Sequence, residues 1–148
     1  MSFFDALSIS ASALGAERQR TEIIAANMAN ARTTRTQAGG PFHRREVVFE
    51  SSGTSSFRLA LARSSESRGP TPGSVQISQV VDDPSPAILR YEPGHPDANK
   101  EGYVAYPAIN PAAEMVDLMD SVRAYQLNAS AVAATKQMIQ QTIEILKS

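Results

Sequence analysis

Few side chains in this chain could do chemistry. His43 and His95 are its only histidines, and there is no cysteine, which excludes thiol chemistry, disulfides and cysteine-ligated zinc. His43 stands beside Arg44 and Arg45, whose positive charge works against a base or metal-ligand role. His95 lies in Gly94-His95-Pro96-Asp97 with Glu101 nearby. Two or three oxygen and nitrogen donors in a turn fall short of the fixed ligand set a metal needs, so a solvated loop is the simpler reading. Asp82-Asp83 precede Pro84-Ser85-Pro86, where aspartates bond the local backbone of a turn. The chain has no glycine-rich phosphate loop and no nucleophile elbow, and Asn128-Ala129-Ser130 matches a glycosylation sequon inside a helical stretch. These residues do not make an enzyme, and no cofactor is expected.

Two clusters remain. Asn27 and Asn30 sit three apart near a helix end. On local grounds Asn30 would end the helix in the left-handed region and Asn27 would be exposed. Tyr125, flanked by Arg123 and Asn128, lies on an apolar stripe, where its hydroxyl needs a partner.

The elements that must position these groups are two helices. Met115, Leu118, Val122, Tyr125, Ala129, Val132, Lys136, Ile139, Ile143 and Leu146 step by three and four with one polar interruption. That a/d stripe predicts a helix over about 111–147 with a seam facing another helix. Asn110 would cap it, Pro111 suits its first position, and Glu114 and Asp117 favour its N-terminal dipole. Ala124, Ala131, Met138 and Ile145 add a second apolar edge, which one helix cannot cover together with the first. Phe4, Leu7, Ala11, Leu14, Arg18, Thr21, Ala25 and Met28 predict a second helix over about 3–31, with a weaker seam.

All nine prolines fall between Pro41 and Pro111, and seven of the eight glycines between Gly39 and Gly102, so the middle is a different kind of chain. Runs at 45–50, 57–62, 75–81 and 87–91 read as short strands between turns, with a Ser/Gly/Pro-rich loop over 63–73. The expected fold is α+β. Residues 1–36 and 108–148 form a discontinuous helical core domain, paired as an antiparallel coiled coil, and 37–107 form an inserted β-rich module. At 148 residues with a net charge of −1, the chain has room for one domain with a real core, and nothing in its charge points to nucleic acid or a membrane surface. No apolar run reaches the roughly 18–20 residues of a membrane span. The start, Met1-Ser2-Phe3-Phe4-Asp5, lacks a basic region and is not expected to be a cleaved secretory signal.

Ala26-Asn27-Met28-Ala29-Asn30-Ala31 resembles the A-N-x-A-N signature of the N-terminal helix in bacterial flagellar rod, hook and hook-associated proteins. Glu114-Met115-Val116-Asp117-Leu118-Met119, followed by Arg123-Ala124-Tyr125 and Asn128, is similar to that superfamily's C-terminal helix. Tyr91-Glu92-Pro93-Gly94-His95-Pro96-Asp97-Ala98 and Gly102-Tyr103-Val104-Ala105-Tyr106-Pro107 resemble the segment of proximal-rod proteins of the C type. Residues 37–82 add nothing specific, and Ile109-Asn110-Pro111-Ala112-Ala113 departs from the expected lead-in to the last helix.

The resemblance implies a structural subunit of the proximal rod of the flagellar basal body. Such subunits assemble into a helical tube that transmits motor torque across the periplasm and surrounds the export channel. It implies as partners other proximal and distal rod proteins, base proteins at the MS ring, and the flagellar type III export apparatus, which exports the chain without a cleaved signal. The ends are expected to order on assembly. The expected interface comprises Leu7, Ala11, Leu14, Asn27, Met28 and Asn30 on the first helix. On the second it comprises Met115, Leu118, Val122, Arg123, Tyr125, Asn128, Val132, Met138, Ile139, Ile143, Ile145 and Leu146. A coiled-coil adaptor or secreted protein of another type III export system is the alternative; it would explain the helices but not the proline-rich segment.

Overall fold

The computed structural model describes residues 3–51 and 73–147 of the chain. Among them the order is α1 (Phe3–Ala29), β1 (Arg45–Ser51), β2 (Val75–Asp82), β3 (Ile88–Tyr91), β4 (Tyr103–Tyr106) and α2 (Pro111–Lys147). This is an α+β chain with a long helix at each end and two two-stranded sheets, β1–β2 and β3–β4. The helices and the strands at 45, 75 and 88 begin within a residue of their expected starts. The strand expected at 57–62 and most of the loop at 63–73 lie outside the described residues. β4 was not expected: Tyr103-Val104-Ala105-Tyr106 is four residues long, and a proline follows it.

α2 starts as its sequence dictates. The Asn110 side-chain oxygen accepts the Ala112 N–H at 3.0 Å, and the Asn110 carbonyl accepts the Glu114 N–H at 3.1 Å. Pro111, which has no N–H to satisfy, occupies the first helical position.

β3 and β4 pair antiparallel in the register Ile88–Tyr106, Leu89–Ala105, Arg90–Val104 and Tyr91–Tyr103. Asn99 organises the connecting loop, its Oδ1 accepting the N–H groups of Glu101 at 3.0 Å and Tyr103 at 2.8 Å. Gly102 sits in this loop at φ +83°, and a Cβ there would lie 2.8 Å from Cε2 of Tyr91. Only glycine meets both conditions. Tyr106 donates its hydroxyl to Glu92 at 2.8 Å, and the Arg90 guanidinium sits 5.0 Å from the Tyr106 ring centre.

The chain divides into two compact units. One holds the described residues up to Gln19, those within 49–78, and Ser121 onward. There, Ser121 donates its hydroxyl to the Glu17 carbonyl at 3.2 Å, and Ser12 accepts the Val75 N–H at 3.0 Å. The other unit holds Arg20–Val48 and Gln79–Asp120. Its interior contains Ile24, Val104 and Ile109, together with two polar side chains, Asn27 and Glu114.

Candidate functional site: a polar latch and an uncovered apolar face

In the second unit α1 ends in a tight reversal. Asn30 keeps a negative φ, as does every described non-glycine residue, so the expected left-handed cap does not form. Its side chain instead donates to the Ala26 carbonyl at 2.9 Å and accepts the Thr33 hydroxyl at 3.1 Å. Asparagine at a helix end competes for local backbone groups in this way. The loop then closes on itself, the Phe42 N–H donating to the Thr33 carbonyl at 3.1 Å, with Gly39 and Gly40 at positive φ. This reversal returns the chain to the side of Asn27.

Asn27, expected to be exposed, is 1% exposed. Its Oδ1 accepts the Arg45 N–H and its Nδ2 donates to the Arg45 carbonyl, both at 2.9 Å. The second Nδ2 hydrogen goes to Oε2 of Glu114 at 3.1 Å. The carboxamide therefore holds the start of β1 and the first turn of α2 at once. Glu114, also 1% exposed, takes Nε of Arg44 on its other oxygen. Arg44 further contacts Glu46 and, at 3.4 Å, Asp117. Burial pulls the Arg44 guanidinium down, but the hydrogen bond and charge of Glu114, aided by Glu46, more than offset that and hold it above its ordinary value. Beside the latch an open cavity of about 160 Å³ is lined by Arg20, Ile23, Val47 and latch residues. With Arg44 in contact with three carboxylates, the latch fastens the start of β1 to the first two turns of α2.

The late-middle residues have local partners as well. Nδ1 of His95 accepts the Asp97 N–H at 3.1 Å, and Asp97 accepts the Thr34 hydroxyl at 2.8 Å with Arg35 3.7 Å away. Among the described residues no three histidine or carboxylate side chains converge on a metal position. Asp83 accepts the Ser85 N–H at 2.8 Å in the expected turn, and its bonding to Ser85 holds its carboxyl below the usual range. Asn128, in the sequon, donates to the Ala124 carbonyl one turn back at 2.9 Å.

The helix faces differ from the expected seams. On α2 the chain buries Glu114, Ser121 and Thr135, and half-buries Leu118, Ala124, Asn128, Ala129, Val132 and Ile139. Of the expected stripe and edge, Met115, Val122, Arg123, Tyr125, Met138, Ile143, Ile145 and Leu146 are exposed, Tyr125 by 42%. On α1 the chain buries Ala16, Ile24 and Asn27 and half-buries Leu7, Leu14, Met28 and Asn30, while Phe4, Ala11, Arg18 and Ala25 are exposed. The chain thus covers a mixed face of α2, polar at Glu114, Ser121 and Thr135 and apolar at Leu118, Val132 and Ile139, and leaves much of the expected apolar stripe uncovered. Periodicity locates a stripe on a helix but is silent on which neighbour covers it.

Residues 7–36 match the family model described as flagella basal body rod protein, and residues 100–145 match flagellar basal body rod FlgEFG protein C-terminal. The flagellar basal-body rod protein FlgC of Bacillus subtilis (strain 168) is 41% identical over 99% of this chain and 100% of its own length. The chain belongs to the FlgC family of flagellar basal-body rod proteins. FlgC of Buchnera aphidicola is 35% identical and that of Yersinia enterocolitica 33%, each over 98% of both chains. As a member of that family, the chain is a structural subunit of the rod in the flagellar basal body. The relatives are structural proteins, and no catalytic family is indicated. No helix among the described residues is long and apolar enough to cross a membrane.

The rod-family signatures and the latch coincide in part. Asn27 belongs to the first and Glu114 to the second, and the fold brings the two together. Arg44, Arg45 and Asp117 complete the latch without having been expected there. Arg44 and Arg45 carried a signal in hindsight, two adjacent guanidiniums on the flank of a strand, but nothing in their spacing points to α2.

Proposed function

We propose that this chain assembles side by side with other rod subunits through the uncovered apolar face of α2. On this reading α1 and α2 pair as an antiparallel hairpin, and copies of the hairpin stack into a helical tube that carries torque and surrounds the export channel. Residues 1–36 with 108–148 act as the assembling core, and 37–107 ride outside it. The pairing is supported by Asn27 against Glu114 in one unit and by Ser121 against Glu17 in the other. Proximal and distal rod proteins and base proteins at the MS ring are its neighbours. The type III export apparatus delivers it without a cleaved signal.

The observation that carries this reading is the exposure of Met115, Met119, Val122 and Tyr125, all between 41% and 52% on one helix. An apolar face of this extent marks a docking surface. The test replaces Met119 and Tyr125 together by serine. Because both side chains are exposed, unfolding of the free chain should shift by no more than about 0.5 kcal/mol per site. Swimming and recovery of the chain in purified basal bodies should be lost. Normal swimming in that variant would remove this face from the assembly.

A further inference from the structure

Resting on the docking face proposed for α2, we infer that Met115 and Met119 form a reversible oxidation site, at which peroxide closes that face to partners. The chain has five methionines and no cysteine, so thioethers are the only sulfur an oxidant can meet. Met28 is half-buried on α1 beside the latch residue Asn27. Met115, by contrast, is 52% exposed and Met119 50%. Met138 is exposed too, but it belongs to the other compact unit. Met115 and Met119 stand one turn apart, so both side chains lie on one face of α2. Two of the four side chains that carry the docking face are therefore oxidisable. The opposite side of the same turns is held by Glu114, through Asn27 and Arg44. Oxygen added to the exposed sulfurs changes the surface and leaves that fastening in place.

The step is a two-electron oxygen transfer from hydrogen peroxide. A sulfur lone pair attacks one peroxide oxygen, the S–O bond forms and the O–O bond breaks. The departing hydroxide takes the proton from the new S–OH group and leaves as water. Sulfur is oxidised by two electrons and the peroxide is reduced by two. A thioether suits an apolar contact, whereas a sulfoxide oxygen needs a hydrogen-bond donor that an apolar partner does not offer. Sulfoxide reductases remove the oxygen again, one enzyme for each epimer, so the closure is reversible. Docking covers the sulfurs. The switch thus acts on copies still free and governs new assembly, leaving docked copies untouched.

The test begins with the full-length chain under graded hydrogen peroxide, mapped by peptide mass. Met115 and Met119 should oxidise at least about threefold faster than Met28, with helical dichroism unchanged, and the paired reductases with a thiol should restore the starting mass. Equal rates at Met28 and at the pair, or loss of helix as the pair oxidises, would overturn the site. In cells, Met115→Gln/Met119→Gln supplies side-chain oxygens in place of the sulfoxides, while Met115→Leu/Met119→Leu keeps the face apolar. Recovery of the glutamine variant in purified basal bodies should fall about tenfold below that of the leucine variant. Equal recovery of the two would overturn the switch. The serine variant of Met119 and Tyr125 tells the two failures apart. If it is excluded from basal bodies while the glutamine variant assembles, the oxidation switch alone fails; if both assemble, the docking face fails and the switch with it.

Discussion

The carboxamide of Asn27 pairs with the peptide group of Arg45 through two hydrogen bonds, giving the first residue of β1 the partner a neighbouring strand would otherwise supply. The remaining Nδ2 hydrogen reaches Glu114, so one side chain fastens three elements. Asn27→Ala should therefore cost about 1–3 kcal/mol for each buried group it leaves unpaired. Asn27→Asp keeps an acceptor for the Arg45 N–H but turns a carboxylate towards the Arg45 carbonyl and Glu114, and should cost more. Denaturant midpoints of the full-length variants check the order; equal midpoints would show that the donor side of the carboxamide is dispensable.

Gly102 and Gly39 both have positive φ, but only Gly102 faces an obstacle where a Cβ would go. Gly39→Ala should cost the left-handed penalty alone, about 1–2 kcal/mol. Gly102→Ala adds a clash with the Tyr91 ring and should cost more and disturb the Tyr91–Tyr103 edge contact. Thermal unfolding of the two variants, read with the tyrosine signal in near-ultraviolet dichroism, compares them directly.

The hydrogen bond to Glu92 holds the Tyr106 hydroxyl above its ordinary value. A raised value in the folded state stabilises the neutral phenol, so the contribution is complete below the unfolded value of about 10 and fades as pH rises through the folded value. Ultraviolet titration should show a tyrosine step at raised pH, and Tyr106→Phe should remove that step. Persistence of the step in Tyr106→Phe would assign it elsewhere.

A chain ending at Met138 lacks Ile139, Ile143, Ile145 and Leu146 but retains the latch and the Glu17–Ser121 contact. Because Ile143, Ile145 and Leu146 are exposed and Ile139 only half-buried, the truncated chain should fold nearly as well as the full one. It should still be exported, yet be absent from purified basal bodies, leaving cells without filaments. Finding it there at normal copy number would place the last turns of α2 outside the assembly.

Most of the element order is written locally. Asn110-Pro111 starts α2 because a side-chain acceptor and a residue without an N–H satisfy that end whatever lies around it. The turn at Asp83 forms because the carboxylate reaches the N–H two residues on. Proline and glycine density alone separates the middle from the ends, since those residues cannot sustain a helix. The burial of Asn27 was not legible in this way. It depends on a loop of some fifteen residues bringing Arg45 back beside α1, and on Glu114 arriving from 87 residues away. Nor does periodicity say which stripe of α2 the chain itself covers. An apolar stripe records only that water must be excluded somewhere in the working state. The tertiary structure buries Glu114, Ser121 and Thr135 on α2 and leaves Met119 and Tyr125 exposed, because the close approach of α1 at Ser121 favours a small side chain there, a choice that only the packed neighbour makes.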